Sequence, residues 1–159
     1  MDFVPENING ALVLNATHVC TVGNDCRSCA ELSVGVHNWI VNNKLRYLLV
    51  DFQDEKEVCN AILSELLQLK KRLRMPFIFC GMMDGPKKYL KSFAYDEHPC
   101  FSSPDEAIVY LKQHVPDVLL VDLKQVKTGE PIPCTRSRSY RAEEAGAADL
   151  DDPEGEPEI

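Results

Sequence analysis

The stretch Leu45-Arg-Tyr-Leu-Leu-Val-Asp-Phe-Gln-Asp-Glu-Lys-Glu-Val-Cys-Asn-Ala-Ile-Leu-Ser-Glu-Leu-Leu-Gln-Leu-Lys-Lys-Arg-Leu-Arg74 contains two kinds of chain. Leu45 to Phe52 is a short, nearly continuous apolar run that reads as a strand ending at Asp51. From Asn60 to Arg74 the apolar residues are Ile62, Leu63, Leu66, Leu67, Leu69 and Leu73, the spacing of one helix face. Lys70, Lys71, Arg72 and Arg74 fall in its last turns, where cations complement the helix dipole. A buried strand followed by an amphipathic helix is one β-α unit.

The same alternation extends in both directions. Upstream, Ala11 to Thr21 reads as two short β segments with a bend at Asn15–Ala16. Asp25 to Lys44 then places Cys29, Leu32, Val36, Trp39 and Ile40 at helical spacing. Downstream, Pro76 restarts the chain as a strand over Phe77 to Gly81, and Gly85–Pro86 opens a short helix through Phe93. Ser103-Pro-Asp-Glu106 is a capping-box start for a helix carrying Ala107, Ile108 and Leu111 inward and stopping near Pro116. Val118 to Leu123 is a candidate for one more strand. The order implies an α/β domain with a largely parallel sheet, whose strand ends and helix starts gather on one binding rim.

Three segments resemble one family. Asp51 to Leu67 (D-F-Q-D-E-K-E-V-C-N-A-I-L-S-E-L-L) is similar, without a gap, to the central pattern of STAS domains, the anti-sigma-factor-antagonist fold. In that pattern an apolar strand ends in Asp-Leu, six residues follow, and Asp-Ser-Ser-Gly-Leu opens an amphipathic helix. Asp25-C-R-S-C-A-Glu31-Leu32 resembles the Asp-led start of the family's first helix. Phe93 to Ala107 resembles the approach to its last helix, and the likeness spans roughly residues 10–115. It implies a STAS-like mixed sheet of four to six strands with about four helices. Residues 1–9 would be an N-terminal extension, 10–127 the domain and 128–159 a disordered acidic tail.

The resemblance implies protein binding without catalysis, switched by phosphorylating a serine at the helix start. Asn60 occupies that serine's position, Cys59 the preceding Asp, and Ala61 and Ile62 the following Ser and Gly. Asn cannot accept a phosphoryl group. Its neutral side chain leaves the surface as an unphosphorylated serine would, without the charge of roughly −1.5 to −2 that a phosphate adds. Binding is therefore expected to be constitutive or differently regulated. The plainer alternative is that Asn60 is an N-cap. The expected partner surface comprises Asp25, Gln53, Asp54, Glu57, Val58, Cys59, Asn60, Ala61, Ile62 and Leu63. The expected partner is an anti-sigma factor or serine-kinase-like ATPase, or another STAS protein. A scaffold role in another complex, such as a transport assembly, is the alternative.

Seven cysteines, an odd number, read as free thiols, several of them small buried hydrophobes. Cys59 precedes a helix whose free N–H groups favour thiolate, and the resemblance implies that the loop bearing Asp25 and Cys26 lies near it on the same rim. A redox switch through Cys59 and Cys26 is thus a second class of function, which the charge of Asp25 opposes. His18 and Cys20 with Cys26 and Cys29 offer four zinc ligands at unusual spacing, a weak metal signal. Asp51, Asp54, Glu55 and Glu57 read as a solvated acidic rim in preference to a Mg²⁺ site. His37, His98 and His114 form no pattern with a nucleophile and an orienting acid, and no phosphate-cradling loop occurs, so neither catalysis nor a cofactor is expected.

The chain's 159 residues are 45% apolar, enough for one core. Its formal charge of −8 argues against nucleic-acid binding. The charge is unevenly placed: residues 141–159 hold eight acids and one base, leaving 1–140 close to neutral. Lys70 to Arg74 with Lys87, Lys88 and Lys91 read either as ordinary solvated helix-end cations or as a small positive patch for a weak anionic partner, phospholipid or the chain's own acidic tail. No run reaches the ~18 apolar residues of a membrane span, and Met1 to Gly10 lacks a secretory pattern. A cytoplasmic location is expected.

Overall fold

The computed structural model describes residues 2–17, 26–55, 58–92, 99–114 and 123–132. Among these residues, five strands, β1 (Asp2–Ile8), β2 (Ala11–Thr17), β3 (Leu48–Glu55), β4 (Phe77–Met82) and β5 (Cys100–Phe101), form one sheet in the order β1-β2-β3-β4-β5. Four helices among them, α1 (Cys26–Asn42), α2 (Asn60–Leu73), α3 (Asp84–Ser92) and α4 (Pro104–His114), complete a mixed α/β domain. β1 and β2 are antiparallel, and the other pairings are parallel. Each parallel step moves to the adjacent strand, so the crossovers run in one direction. α1 packs on α2 and α2 touches α3, while α4 lies across β3, β4 and β5. Its Tyr110 ring meets Phe101 of β5 with centroids 5.1 Å apart.

Residues 2–8 are not an extension but the sheet's edge strand, which the Asn9–Gly10 turn creates. Both turn residues have positive φ, 50° and 85°, the geometry whose twist matches a two-residue hairpin. Asn7 reinforces it by accepting the Gly10 N–H through its side-chain oxygen at 3.1 Å. Ala11 to Thr17 is then one continuous strand and not two segments; residues 18–21 lie outside the described residues. Phe3 is fully buried, and Pro5 is tolerated because, among the described residues, β1 has no further strand on its outer side.

The outer side of β1 is covered instead by residues 129–132, expected to be tail. Gly129 N–H donates to the Pro5 carbonyl at 2.9 Å and Ile132 N–H to the Phe3 carbonyl at 2.8 Å. Val126 and Ile132 are buried. The packed chain thus continues past position 127, since an open strand edge is satisfied and two apolar side chains are removed from water. Of the candidate strand Val118 to Leu123, Leu123 starts a single 3₁₀ turn through Gln125, and 118–122 lie outside the described residues.

The core lies between the sheet and its helices. Ile62, Leu63, Leu66 and Leu69 bury the inner face of α2, each contributing about 1.5–3 kcal/mol of burial. Leu67 and Leu73 are only partly buried. Cys29, Leu32, Val36 and Ile40 do the same for α1. Every residue of β4 is buried, as a central parallel strand covered on both faces requires. α4 starts on the Ser103 cap that its sequence implies, Ser103 Oγ accepting the Glu106 N–H at 3.4 Å, while Glu106 Oε2 accepts the N–H of Ser102, one residue before the cap, at 3.1 Å. α2 ends on Arg74 in the left-handed conformation, its N–H bonded to the Lys70 carbonyl.

Candidate functional site

The end of β3 does not stop at Asp51. Asp51 pairs with Cys80 and Glu55 with Met82, so four steps along β3 match two along β4. The two surplus residues are accommodated by Gln53 and Asp54, both left-handed with φ of 53° and 57°. Asp51 closes this bulge from within, one carboxylate oxygen accepting the Gln53 N–H at 2.8 Å. Across from it sits Gly81, with φ of 64°. A β-carbon there would collide with the Asp51 carboxylate and lie 2.8 Å from the Gln53 amide nitrogen. Glycine at position 81 is what lets the bulge close down on β4.

The bulge projects Gln53, Asp54 and Glu55 into solvent, and the chain then re-enters at Val58, which is buried. Cys59, in an extended conformation, is the N-cap of α2 and makes no side-chain cap bond. Asn60 is therefore the first helical residue and not the cap, and it is exposed. Cys59 accepts the N–H groups of Ile62 and Leu63 through its main-chain carbonyl at 3.2 and 3.4 Å.

Of the expected surface, Gln53, Asp54 and Asn60 are exposed and Cys59 and Ala61 half-buried, on adjoining segments of one rim. Ile62 and Leu63 are fully buried and Val58 is 8% exposed, so these three build the core beneath that rim. Asp25, Glu57 and the side chain of Cys26 lie outside the described residues, as do His18, Cys20 and His98. Cys29, the remaining member of the candidate zinc set, is buried. Among the described residues no group of three or more His, Cys, Asp or Glu is arranged to hold a metal. His37 is half-buried on α1, and His114 stacks on Tyr110 at 4.3 Å.

Beneath the bulge runs a polar row that the sequence did not reveal. Asn15 of β2 is only 7% exposed and donates to a Glu6 carboxylate oxygen at 2.6 Å. Its register partner is Asp51, whose own partner is Cys80. Burial raises the Asp51 pKa; the Gln53 N–H opposes that, and the Asp54 charge adds to it. Burial, then the Asp51 charge, push the Cys80 thiol far above its ordinary range, and its Sγ donates to the Val50 carbonyl at 3.6 Å. Exposed Met83 extends the rim beyond β4, an apolar contact absent from the expected set.

No protein-family model matches this sequence, and no curated protein does. Among solved structures, a serine-to-glutamate variant of RsbS from Moorella thermoacetica is similar in fold, with a TM-score of 0.54. The two are 16% identical, and the match covers 70% of this chain and 95% of that one. The likeness is one of fold: a five-stranded mixed sheet with four helices, STAS-like in architecture. Among the described residues no helix is long and apolar enough to cross a membrane.

Proposed function

We propose that the chain is a non-catalytic, protein-binding regulator of the anti-sigma-factor-antagonist type, whose switch position is held by a residue that cannot be phosphorylated. The observation that carries this reading is Asn60, exposed as the first residue of α2 directly after the β3 bulge. The likeness in fold and the gapless Asp51 to Leu67 wording support assigning the partner surface to this rim.

Gln53, Asp54, Cys59, Asn60, Ala61 and Met83 supply a small surface of mixed character, with Asp54 and Glu55 giving it negative charge. A neutral carboxamide at position 60 lets a partner approach; a carboxylate or phosphate there adds charge beside two acids and must be desolvated on docking. Binding is thus held on. Regulation falls to the partner's abundance or to another part of the chain.

The test uses a serine-kinase-like ATPase of the anti-sigma type found beside the protein in its source. Wild type and Asn60→Ser are expected to bind it equally, and Asn60→Asp at least tenfold more weakly. With ATP, Asn60→Ser alone becomes phosphorylated at position 60 and dissociates. Equal affinity of wild type and Asn60→Asp would overturn the reading. An adaptor of another complex would bind no such ATPase.

A further inference from the structure

At the rim opposite Asn60, the C-terminal ends of α1 and α2 and the starts of β3 and β4 enclose an open groove of about 440 Å³. Leu73, Met75 and Pro76 contribute apolar lining, Val41 is an exposed apolar side chain at its edge, and Lys44, Arg46 and Arg74 supply charge. No acidic residue lines it. Those three cations are exposed and make no ion pair among the described residues.

Two of the cations stand where long side chains are unusual. Lys44 and Arg74 both have left-handed backbone, φ of 53° and 52°, at the positions that end α1 and α2. Glycine or asparagine is the common residue there, because a β-carbon is disfavoured in that conformation. The terminal carbonyls are meanwhile capped by main-chain N–H groups: Lys44 to Val41 at 3.2 Å, Leu45 to Ile40 at 3.0 Å and Arg74 to Lys70 at 2.9 Å. The side chains of Lys44 and Arg74 are thus not needed as caps. They remain available to an external anion.

We propose that this groove binds the chain's own acidic C-terminal segment, residues 149–159. That segment, Asp149-Leu-Asp-Asp-Pro-Glu-Gly-Glu-Pro-Glu-Ile159, carries six carboxylates, no base, and two apolar side chains, Leu150 and Ile159. Carboxylates on Lys44, Arg46 and Arg74, with Leu150 or Ile159 on the Leu73–Pro76 floor, match both halves of the groove's chemistry. The reach is sufficient. Ile132 is tied to Phe3 near the far end of β1, roughly 25 Å from the groove by strand spacing and rise. The sixteen residues 133–148 can extend to ~55 Å. A connection of that length holds the segment at an effective concentration on the order of millimolar, so a weak site is filled within one molecule.

The test compares full-length wild type with a full-length variant carrying Asp149→Asn, Asp151→Asn, Asp152→Asn, Glu154→Gln, Glu156→Gln and Glu158→Gln. Neutralisation should move the backbone amide resonances of Lys44, Leu45, Arg74 and Met75, and 0.5 M NaCl should bring wild type to the same positions. A synthetic peptide of residues 141–159 should bind the neutralised variant at least tenfold more tightly than wild type, whose own segment competes. Adding Arg46→Glu to that variant should abolish peptide binding, with the unperturbed remainder of the spectrum reporting an intact fold. Unmoved groove amides, movement at Lys87, Lys88 and Lys91 instead, or equal peptide affinity for both proteins would each overturn the proposal.

Discussion

Asp51 of β3 occupies the space that a side chain at Gly81 of β4 would need, and its carboxylate holds the Gln53 N–H at 2.8 Å. One glycine on one strand and one acid on its neighbour therefore set the bulge from which Gln53, Asp54 and Glu55 project. Gly81→Ala must both strain a φ of 64° and displace the bulge. A loss of about 2 kcal/mol or more is expected, on the order of 10 °C in Tm. Gly85→Ala is the control: it lies in α3 with nothing within 4 Å of the added β-carbon, and should raise stability by about 0.5–1 kcal/mol. Thermal unfolding of both variants checks the pair. A Gly81→Ala protein as stable as wild type would remove the bulge from this account.

The charge on Asp51 works against the folded state. Burial raises its folded pKa above the ordinary carboxyl value, so the folded chain keeps that proton longer than the unfolded chain does. Its contribution to stability is then complete below the unfolded pKa and is lost as pH rises through the folded pKa. Asp51→Asn retains an oxygen to accept the Gln53 N–H and removes the charge. The variant should be the more stable at pH 7, with the difference shrinking as pH falls through the raised folded pKa and fully closed below about 4. Urea unfolding at several pH values reads this directly. Parallel curves for the two proteins would refute it.

Tyr47 performs a structural task at the other end of the sheet. Its hydroxyl accepts the Leu12 N–H at 2.7 Å, in the interior, where β2 pairs with β3 only at Leu14–Val50 and Asn15–Asp51. Tyr47→Phe leaves that buried N–H without an acceptor and should cost about 1–3 kcal/mol. Faster hydrogen exchange at Leu12 than in wild type would locate the loss. An unchanged exchange rate would mean another acceptor takes over.

These relationships explain what the sequence could and could not disclose. The βα unit from Leu48 to Leu73 was legible because burial itself writes the pattern: a continuous apolar run, then Ile62, Leu63, Leu66 and Leu69 at helical spacing. The capping signal at Ser103–Glu106 was equally local. β1 is not legible in the sequence despite the strong hairpin signal Asn9–Gly10, because Pro5, Glu6 and Asn7 are poor strand formers that only an edge position tolerates. Residues 129–132 have the composition of a tail and are ordered by two main-chain bonds to β1, which no side-chain pattern reports. The bulge depends on a left-handed pair of ordinary residues and on a glycine nearly thirty positions away. Which residues around Asn60 are exposed and which form the core beneath them is set by packing, and no local sequence pattern reports it.

Cys59 joins that rim to its chemistry, and its two readings separate cleanly. As N-cap it has the extended conformation of a capping residue yet makes no side-chain cap bond. Cys59→Ser or Cys59→Asp supplies an oxygen able to accept an N–H in the first turn of α2, and should stabilise the protein by about 0.5–1 kcal/mol. Thermal unfolding measures that gain. As a reactive thiol, half-exposed Cys59 should be alkylated by iodoacetamide at neutral pH well before Cys80, which is fully buried with its thiol pKa pushed far up. Mass spectrometry of a labelling time course distinguishes them. Cys59 labelling no faster than Cys80 would leave it a capping position alone. Faster labelling, together with partner affinity that falls on mild oxidation and is insensitive to oxidant in Cys59→Ser, would give this rim a thiol switch where Asn60 denies it a phosphate.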